Sequence, residues 1–257
     1  MKKIDYSFHM HTYRCGHARV IEDEMYITNA IKAGYHHIGF SDHAMFPNYS
    51  QKGVRGDYQE YFEDYINTIK GLKKKYQSLI DIKVGFEAEY SDEFVKYYQG
   101  LLSSGTLDYL ILGQHFHFED GTHPWYFRGE NEPRNIYRYA EDLLKGMSSG
   151  LFKYVAHPDL YMQEFTYFSK DCEVVARMIC EASNKYHLPL EINCEGMRDH
   201  KHYPCYDFWK VVKEYNCDVV IGLDLHDPDN FFDDYSMKKA LDLVDELGLK
   251  LITDYKI

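Results

Sequence analysis

The residues most able to do chemistry begin at His9 and His11, two positions apart in the extended run Ile4-Asp5-Tyr6-Ser7-Phe8-His9-Met10-His11. In a strand, residues i and i+2 share a face, so both imidazoles can reach one cation. His17 follows in the loop that leaves the strand. Taken alone, a His-X-His pair fits a metal site or a hydrogen-bonded surface pair equally well. What favours the metal reading is recurrence. Asp42 and His43, Glu87 and Glu89, His115 and His117, His157 and Asp159, Glu191, Asn193 and Glu195, and Asp224 with His226 each lie just past an apolar run of strand character. Imidazole and carboxylate suit zinc, manganese or iron, and three or four converging groups make one site. A rim of about nine such ligands exceeds one ion and suits two or three.

The elements that must position these groups alternate along the chain. The expected strands run through 4–11, 36–43, 80–86, 107–112, 154–156, 188–192 and 218–223. Helical periodicity is expected at about 22–33, 57–76, 92–103, 134–148, 170–186, 206–215 and 236–247, with Gly34 as one stop signal. A short apolar tail follows at 249–253. Strict β/α alternation implies parallel strands joined by right-handed crossovers. An open doubly wound sheet gathers its ligands at one switch point. Here the polar residues follow the C-terminal end of nearly every strand, which is how the active-site face of a barrel is built. The expectation is one domain over residues 1–257, a distorted (β/α)7 barrel. The stretch 119–133, with His123, Trp125, Tyr126 and Arg128, has neither period and reads as a long loop over the site.

Composition sets the outer bounds. The chain has 257 residues, 45% hydrophobic and 27% charged, enough for one sizeable α/β core. A net charge of −12 with no basic cluster argues against a nucleic-acid footprint, while bound metals would still allow a small anionic substrate. No apolar run approaches the roughly 18–20 residues of a membrane span, and no signal peptide is evident. Six scattered cysteines without a C-x-x-C pair suit a reducing compartment, so a cytoplasmic location is expected. The oligomeric state is not legible.

The ordered motifs carry a family resemblance. H-x-H and a nearby third histidine, Ser41-Asp42-His43, Gly85-Phe86-Glu87-Ala88, His115, His157-Pro158-Asp159-Leu160, the Glu191-to-Arg198 run E-I-N-x-x-G-x-R, and the Gly222-to-Pro228 run G-x-D-x-H-D-P closely resemble the PHP (polymerase and histidinol phosphatase) superfamily. Within it, the chain looks most like the stand-alone histidinol-phosphate phosphatases. The resemblance implies three divalent metal ions. One would be held by His9, His11, Glu87 and Asp224, a second by Glu87 with His115 and His157, and a third by His17, His43 and His226. It further implies Asp42 as the acid for the leaving alcohol and Arg198 as a residue facing the substrate phosphate. The implied reaction is hydrolysis of L-histidinol phosphate by a metal-bridging hydroxide, a step in histidine biosynthesis.

Two departures bear on the substrate. A basic residue commonly follows H-x-D-L in such phosphatases, whereas Tyr161, Met162 and Gln163 follow Leu160 here. Leu223 and Leu225 replace small residues in the last motif. Another small phosphate ester, such as a nucleotide, is therefore the alternative substrate. A metal-dependent amidohydrolase would need a lysine bridging two metals at a strand end, and none is present. A non-catalytic metal-binding module would predict decayed ligands, and all nine are retained.

Overall fold

The structure of the chain is a computed structural model that describes residues 4–118, 126, 133–165 and 167–257. All strand pairs are parallel. β1 (Tyr6–Ser7), β2 (His37–Phe40), β3 (Asp81–Ala88) and β4 (Tyr109–Leu112) pair in that order, as do β5 (Leu190–Asn193), β6 (Asp218–Gly222) and β7 (Lys250–Leu251). The two groups meet twice. Val155 bridges Leu112 on one side and Leu190 on the other, and Met10 bridges Leu225. At the second junction His11 N–H donates to the Leu225 carbonyl at 2.8 Å and Leu225 N–H to the His9 carbonyl at 3.2 Å. The ring therefore closes through seven staves: β1 to β4, the segment around Val155, β5 and β6. The expected strand at 154–156 survives as paired bridges, and the tail expected at 249–253 contributes β7 beside β6.

Helices α1 (Glu24–Ala33), α2 (Tyr58–Tyr76), α3 (Val95–Ser103), α4 (Pro133–Ser148), α5 (Lys170–Tyr186), α6 (Cys194–Arg198), α7 (Tyr206–Glu214) and α8 (Asp234–Leu247) follow the strands. Local sequence sets several ends. The Asp57 carboxylate accepts from Gln59 and Glu60 N–H at the start of α2, and Ser169 Oγ accepts from Cys172 N–H at the start of α5. Gly34 ends α1 at φ 86°, a conformation that costs glycine little. The loop reading of 119–133 falls outside the described residues, apart from Tyr126 and from Pro133, which begins α4.

A small cluster of Tyr6, Phe8, Tyr109, Ile111, Tyr154, Ala156 and Val220 joins opposite sides of the ring and fills its interior, with Ile252, Tyr255 and Ile257 packed against it. Tyr109 reaches across, its hydroxyl donating to the carbonyls of Phe8 and Phe40. The larger core lies between the strands and the helices. Among the described residues, no helix is long and apolar enough to cross a membrane.

Candidate metal centre

Every expected ligand stands at or just beyond a C-terminal strand end. His9 and His11 follow β1, His43 follows β2, Glu87 lies near the end of β3, His115 follows β4, His157 follows the Val155 segment, and Asp224 and His226 follow β6. Most are fully buried; His226 is partly exposed and His17 is exposed. His157 and Asp224 take positive φ values of 28° and 48°, which non-glycine residues seldom adopt. Such conformations cost about 1–3 kcal/mol each and persist where the surroundings impose them, here turning two chain segments at the ligand positions.

The side chains converge on Glu87. Its Oε2 lies 3.5 Å from His9 Nε2, 3.4 Å from His11 Nε2 and 3.0 Å from His43 Nδ1. Its Oε1 lies 2.7 Å from His157 Nε2 and 3.4 Å from His115 Nε2. Asp224 Oδ1 stands opposite, 3.5 Å from His9 Nε2 and 3.3 Å from His11 Nε2. A further group forms at the rim, where His226 Nε2 and His17 Nε2 are 2.9 Å apart and the rings of His11 and His226 stack at 4.3 Å. Ligand atoms of His9, His11 and Glu87, of His43, Glu87 and His115, and of His11, His43 and His226 all fall close enough to share an ion.

Outer residues aim these ligands. Glu191 receives His9 Nδ1 at 2.9 Å, and its other oxygen accepts from His157 N–H at 3.0 Å. Glu89 faces His115 Nδ1 at 3.2 Å and is itself held by the buried Arg55 at 2.8 Å. Asn193 Nδ2 donates to Asp224 Oδ2 at 3.0 Å. Carboxylates behind metal-ligating histidines fix the tautomer and raise ligand basicity. Two glycines make room for this arrangement. A Cβ at Gly113 would lie 2.0 Å from Glu87 Oε1, and one at Gly222 would lie 1.7 Å from Glu191 Oε1.

Electrostatics agree with a cation-binding site. Glu87 is held far below the usual carboxylate range: burial opposes this, but His115, His9 and His43 outweigh it. Asp224 behaves alike, with His9 the leading opponent of burial. His9 is raised because Asp224, Glu191 and Glu87 overcome its burial. His11 is lowered by burial and by the neighbouring His226 and His43, and His17 is lowered to about 3 for the same kinds of reason. Among the described residues, His9 Nε2, His11 Nε2 and Asp224 Oδ1 are buried without a hydrogen-bond partner. Such orphaned atoms are rare and call for a group to satisfy them. A divalent ion fits the donor set.

Above the cluster lies a cavity of about 290 Å³, walled also by Gly53, Val54, Leu160, Gln163, Glu195, Lys201 and Tyr203. Of the expected ligands and catalytic and substrate-binding residues, His9, Asp42 and Arg198 are not among those lining it. Asp42 is buried behind His11. Thr12 N–H donates to it at 2.7 Å, the Thr12 hydroxyl donates to its other oxygen, and His11 Nδ1 lies 3.7 Å away. Burial pushes its carboxyl up to about 7. Arg198 ends α6 with its guanidinium turned to the carbonyls of Leu223 and Asp224 and to Asp233. His117 is drawn off to Asp142 at 2.6 Å, and His36 pairs with Asp5 near the opposite strand ends. Sequence reasoning had no role for Glu191 and Glu89 beyond strand-end position, and it missed Lys201 and Tyr203; Gln163 it read only as a departure after Leu160. For Lys201 the available signal was a lone lysine between two histidines in the loop after Arg198.

A closed ring of parallel strands with a buried histidine–carboxylate centre at one end defines the class, an α/β barrel built around a metal-binding face. The PHP domain model matches residues 7–195, and the chain belongs to that family. It is 28% identical over 226 residues to a Deinococcus radiodurans protein named probable histidinol-phosphatase, covering 86% of this chain and 85% of the relative. It is 25% identical to the histidinol-phosphatase of Lactococcus lactis, covering 96% and 92%. A crystal structure of a Lactococcus lactis histidinol phosphate phosphatase complexed with zinc, L-histidinol and phosphate superposes with a TM-score of 0.73 at 19% identity, covering 96% of this chain and 95% of that one. At that identity the superposition speaks for the fold, a distorted barrel.

Proposed function

We propose that this protein is a metal-dependent phosphomonoesterase that hydrolyses L-histidinol phosphate to L-histidinol and phosphate. The observation that carries the reading is the placement of Glu87, one buried carboxylate within 3.5 Å of five imidazoles beneath a cavity of small-molecule size. The choice of substrate leans on relatives named as histidinol-phosphatases across most of the chain.

Three divalent ions, of zinc, manganese or iron, would be held by His9, His11, Glu87 and Asp224; by Glu87, His115 and His157; and by His17, His43 and His226. When bound, such ions supply Lewis acidity, activating water and neutralising phosphate oxygens as charge moves towards the leaving alcohol. The chain's own part is placement. Glu191 and Glu89 hold the far nitrogens of His9 and His115, so that each Nε2 faces Glu87. Leu160, Val54 and Tyr203 line the cavity, and their apolar surface would limit water around the ester. Asp42, committed to Thr12 and placed behind His11, is assigned to holding the His11–Thr12 segment. Protonating the leaving alcohol would require it to release Thr12. The six unpaired thiols suit a cytoplasmic setting.

Gln163, at the cavity wall where a basic residue is expected, favours a second reading, a phosphoesterase acting on another small ester. Phosphate release from a panel of histidinol phosphate, nucleoside monophosphates and sugar phosphates separates the two. Histidinol phosphate leads on the first reading. A nucleotide or sugar phosphate well ahead of it would retain the class and reject the substrate.

A further inference from the structure

We propose that Lys201 is the cation that binds the substrate phosphate in this site. The inference rests on the phosphatase reading and deepens it. The cavity wall is rich in histidines and carries the carboxylates of Glu87, Glu195 and Asp224. Among the described lining residues, Lys201 is the only lysine or arginine. A phosphate held by ions on one face still presents oxygens on the other, and a charged donor there is worth more than a neutral one.

The position is built. Lys201 lies in the loop between α6 and α7, its backbone N–H anchored on the Gly196 carbonyl at 2.9 Å. Its ammonium donates to Glu195 Oε2 at 2.9 Å and to the Tyr203 hydroxyl at 3.4 Å. The other oxygen of Glu195 lies 3.4 Å from His226 Nδ1, so this carboxylate ties the lysine to the ligand cluster. Asp199 Oδ2 stands 3.5 Å from the same ammonium, a longer contact at a more exposed carboxylate, and it is this third donor that a phosphate oxygen would take over. Glu195 also favours the charged form, against partial burial. Arg198 is directed elsewhere: Nη2 donates to the carbonyls of Leu223 and Asp224 and Nη1 to Asp233, and the residue is not among those lining the cavity. The positive charge thus reaches the cavity from a lysine three positions later. Lysine acts as a point charge where arginine would grip two oxygens in a fork, so the contact orients the ester less strictly.

The test uses the full-length, metal-loaded chain and inorganic phosphate as the probe, with metal content measured on each sample. In K201M, the inhibition constant for phosphate and the KM for histidinol phosphate should both rise about 10- to 100-fold, as expected for one lost charged hydrogen bond. Turnover at saturation should fall less, metal content should match wild type, and K201R should recover most of the loss. An unchanged phosphate constant in K201M overturns the proposal. So does loss of metal in K201M, which would make Lys201 a clasp for Glu195 and His226, or a rise in the constant confined to R198M. Phosphate binding by calorimetry keeps the two readings apart: a wild-type chain that binds phosphate yet hydrolyses no ester rejects the phosphatase reading and leaves this comparison intact.

Discussion

Replacing Gly113 by alanine should strip the metal centre while leaving the fold in place. The added methyl would sit 2.0 Å from Glu87 Oε1 and 2.5 Å from its Cδ and Cγ. Non-bonded heavy atoms settle near 3.5 Å, so the carboxylate must retreat by about 1.5 Å. Oε1 faces His157 and His115 while Oε2 faces His9, His11 and His43, so one displacement disturbs both ligand groups. Metal sites tolerate shifts of only about 0.2 Å. G113A should therefore lose most of its bound metal, and turnover should fall at least about 100-fold, the cost of an ångström-scale misplacement. The stability cost should be that of overpacking, about 1–3 kcal/mol, leaving the far-ultraviolet circular dichroism unchanged. Gly71→Ala is the control. It lies within α2 with nothing within 4 Å of the new carbon, and should be neutral or stabilising by up to about 1 kcal/mol. A G113A chain with a full complement of metal and wild-type turnover would refute the assignment of Glu87 as the shared ligand.

Other consequences are separable. Glu191→Gln removes the charge behind His9 and should weaken metal binding about 10- to 100-fold by calorimetric titration; G222A, which drives a methyl into the same carboxylate, should reproduce the loss. Asp42→Asn should lower turnover on alkyl and p-nitrophenyl phosphates by similar factors with metals retained. A large loss on the alkyl ester alone would restore Asp42 as the leaving group's acid. Asp159 is pushed up to about 7 by burial, from an unfolded value near 3.8. Between these values the folded chain holds a proton that the unfolded chain has lost, so this carboxyl lowers stability as pH rises through the window. Asp159→Asn keeps an acceptor for Cys205 N–H and Trp209 Nε1, and should gain stability over wild type at pH 8 but not at pH 4 in denaturant titrations. An unchanged difference across that range would reject the assignment.

Much of the architecture was legible because ligand-type residues follow strand ends. Each apolar run pointed to a stave, and the polar residues just beyond it pointed to one face. The Val155 segment was readable as a stave although it makes only single bridges, because hydrophobic pattern reports burial and not ladder length. The directions of Asp42 and Arg198 were not legible. Sequence places both at the right end of the barrel, but Thr12 captures one and the carbonyls of Leu223 and Asp224 capture the other. Such competition is between chain-distant groups and leaves no local pattern. The steric roles of Gly113 and Gly222 were not legible for the same reason, since each is the space left for a neighbouring stave's carboxylate.

The central claim is that the Glu87-centred cluster performs the hydrolysis, and a metal titration of phosphate release tests it most directly. The chain is stripped with a chelator, reloaded stepwise with zinc or manganese, and assayed on histidinol phosphate while bound metal is counted in the same samples. Turnover should be absent without metal, rise as the centre fills, and level off at three ions per chain. Hydrolysis by the stripped protein, or no phosphate released from any ester by the fully loaded one, would contradict the account.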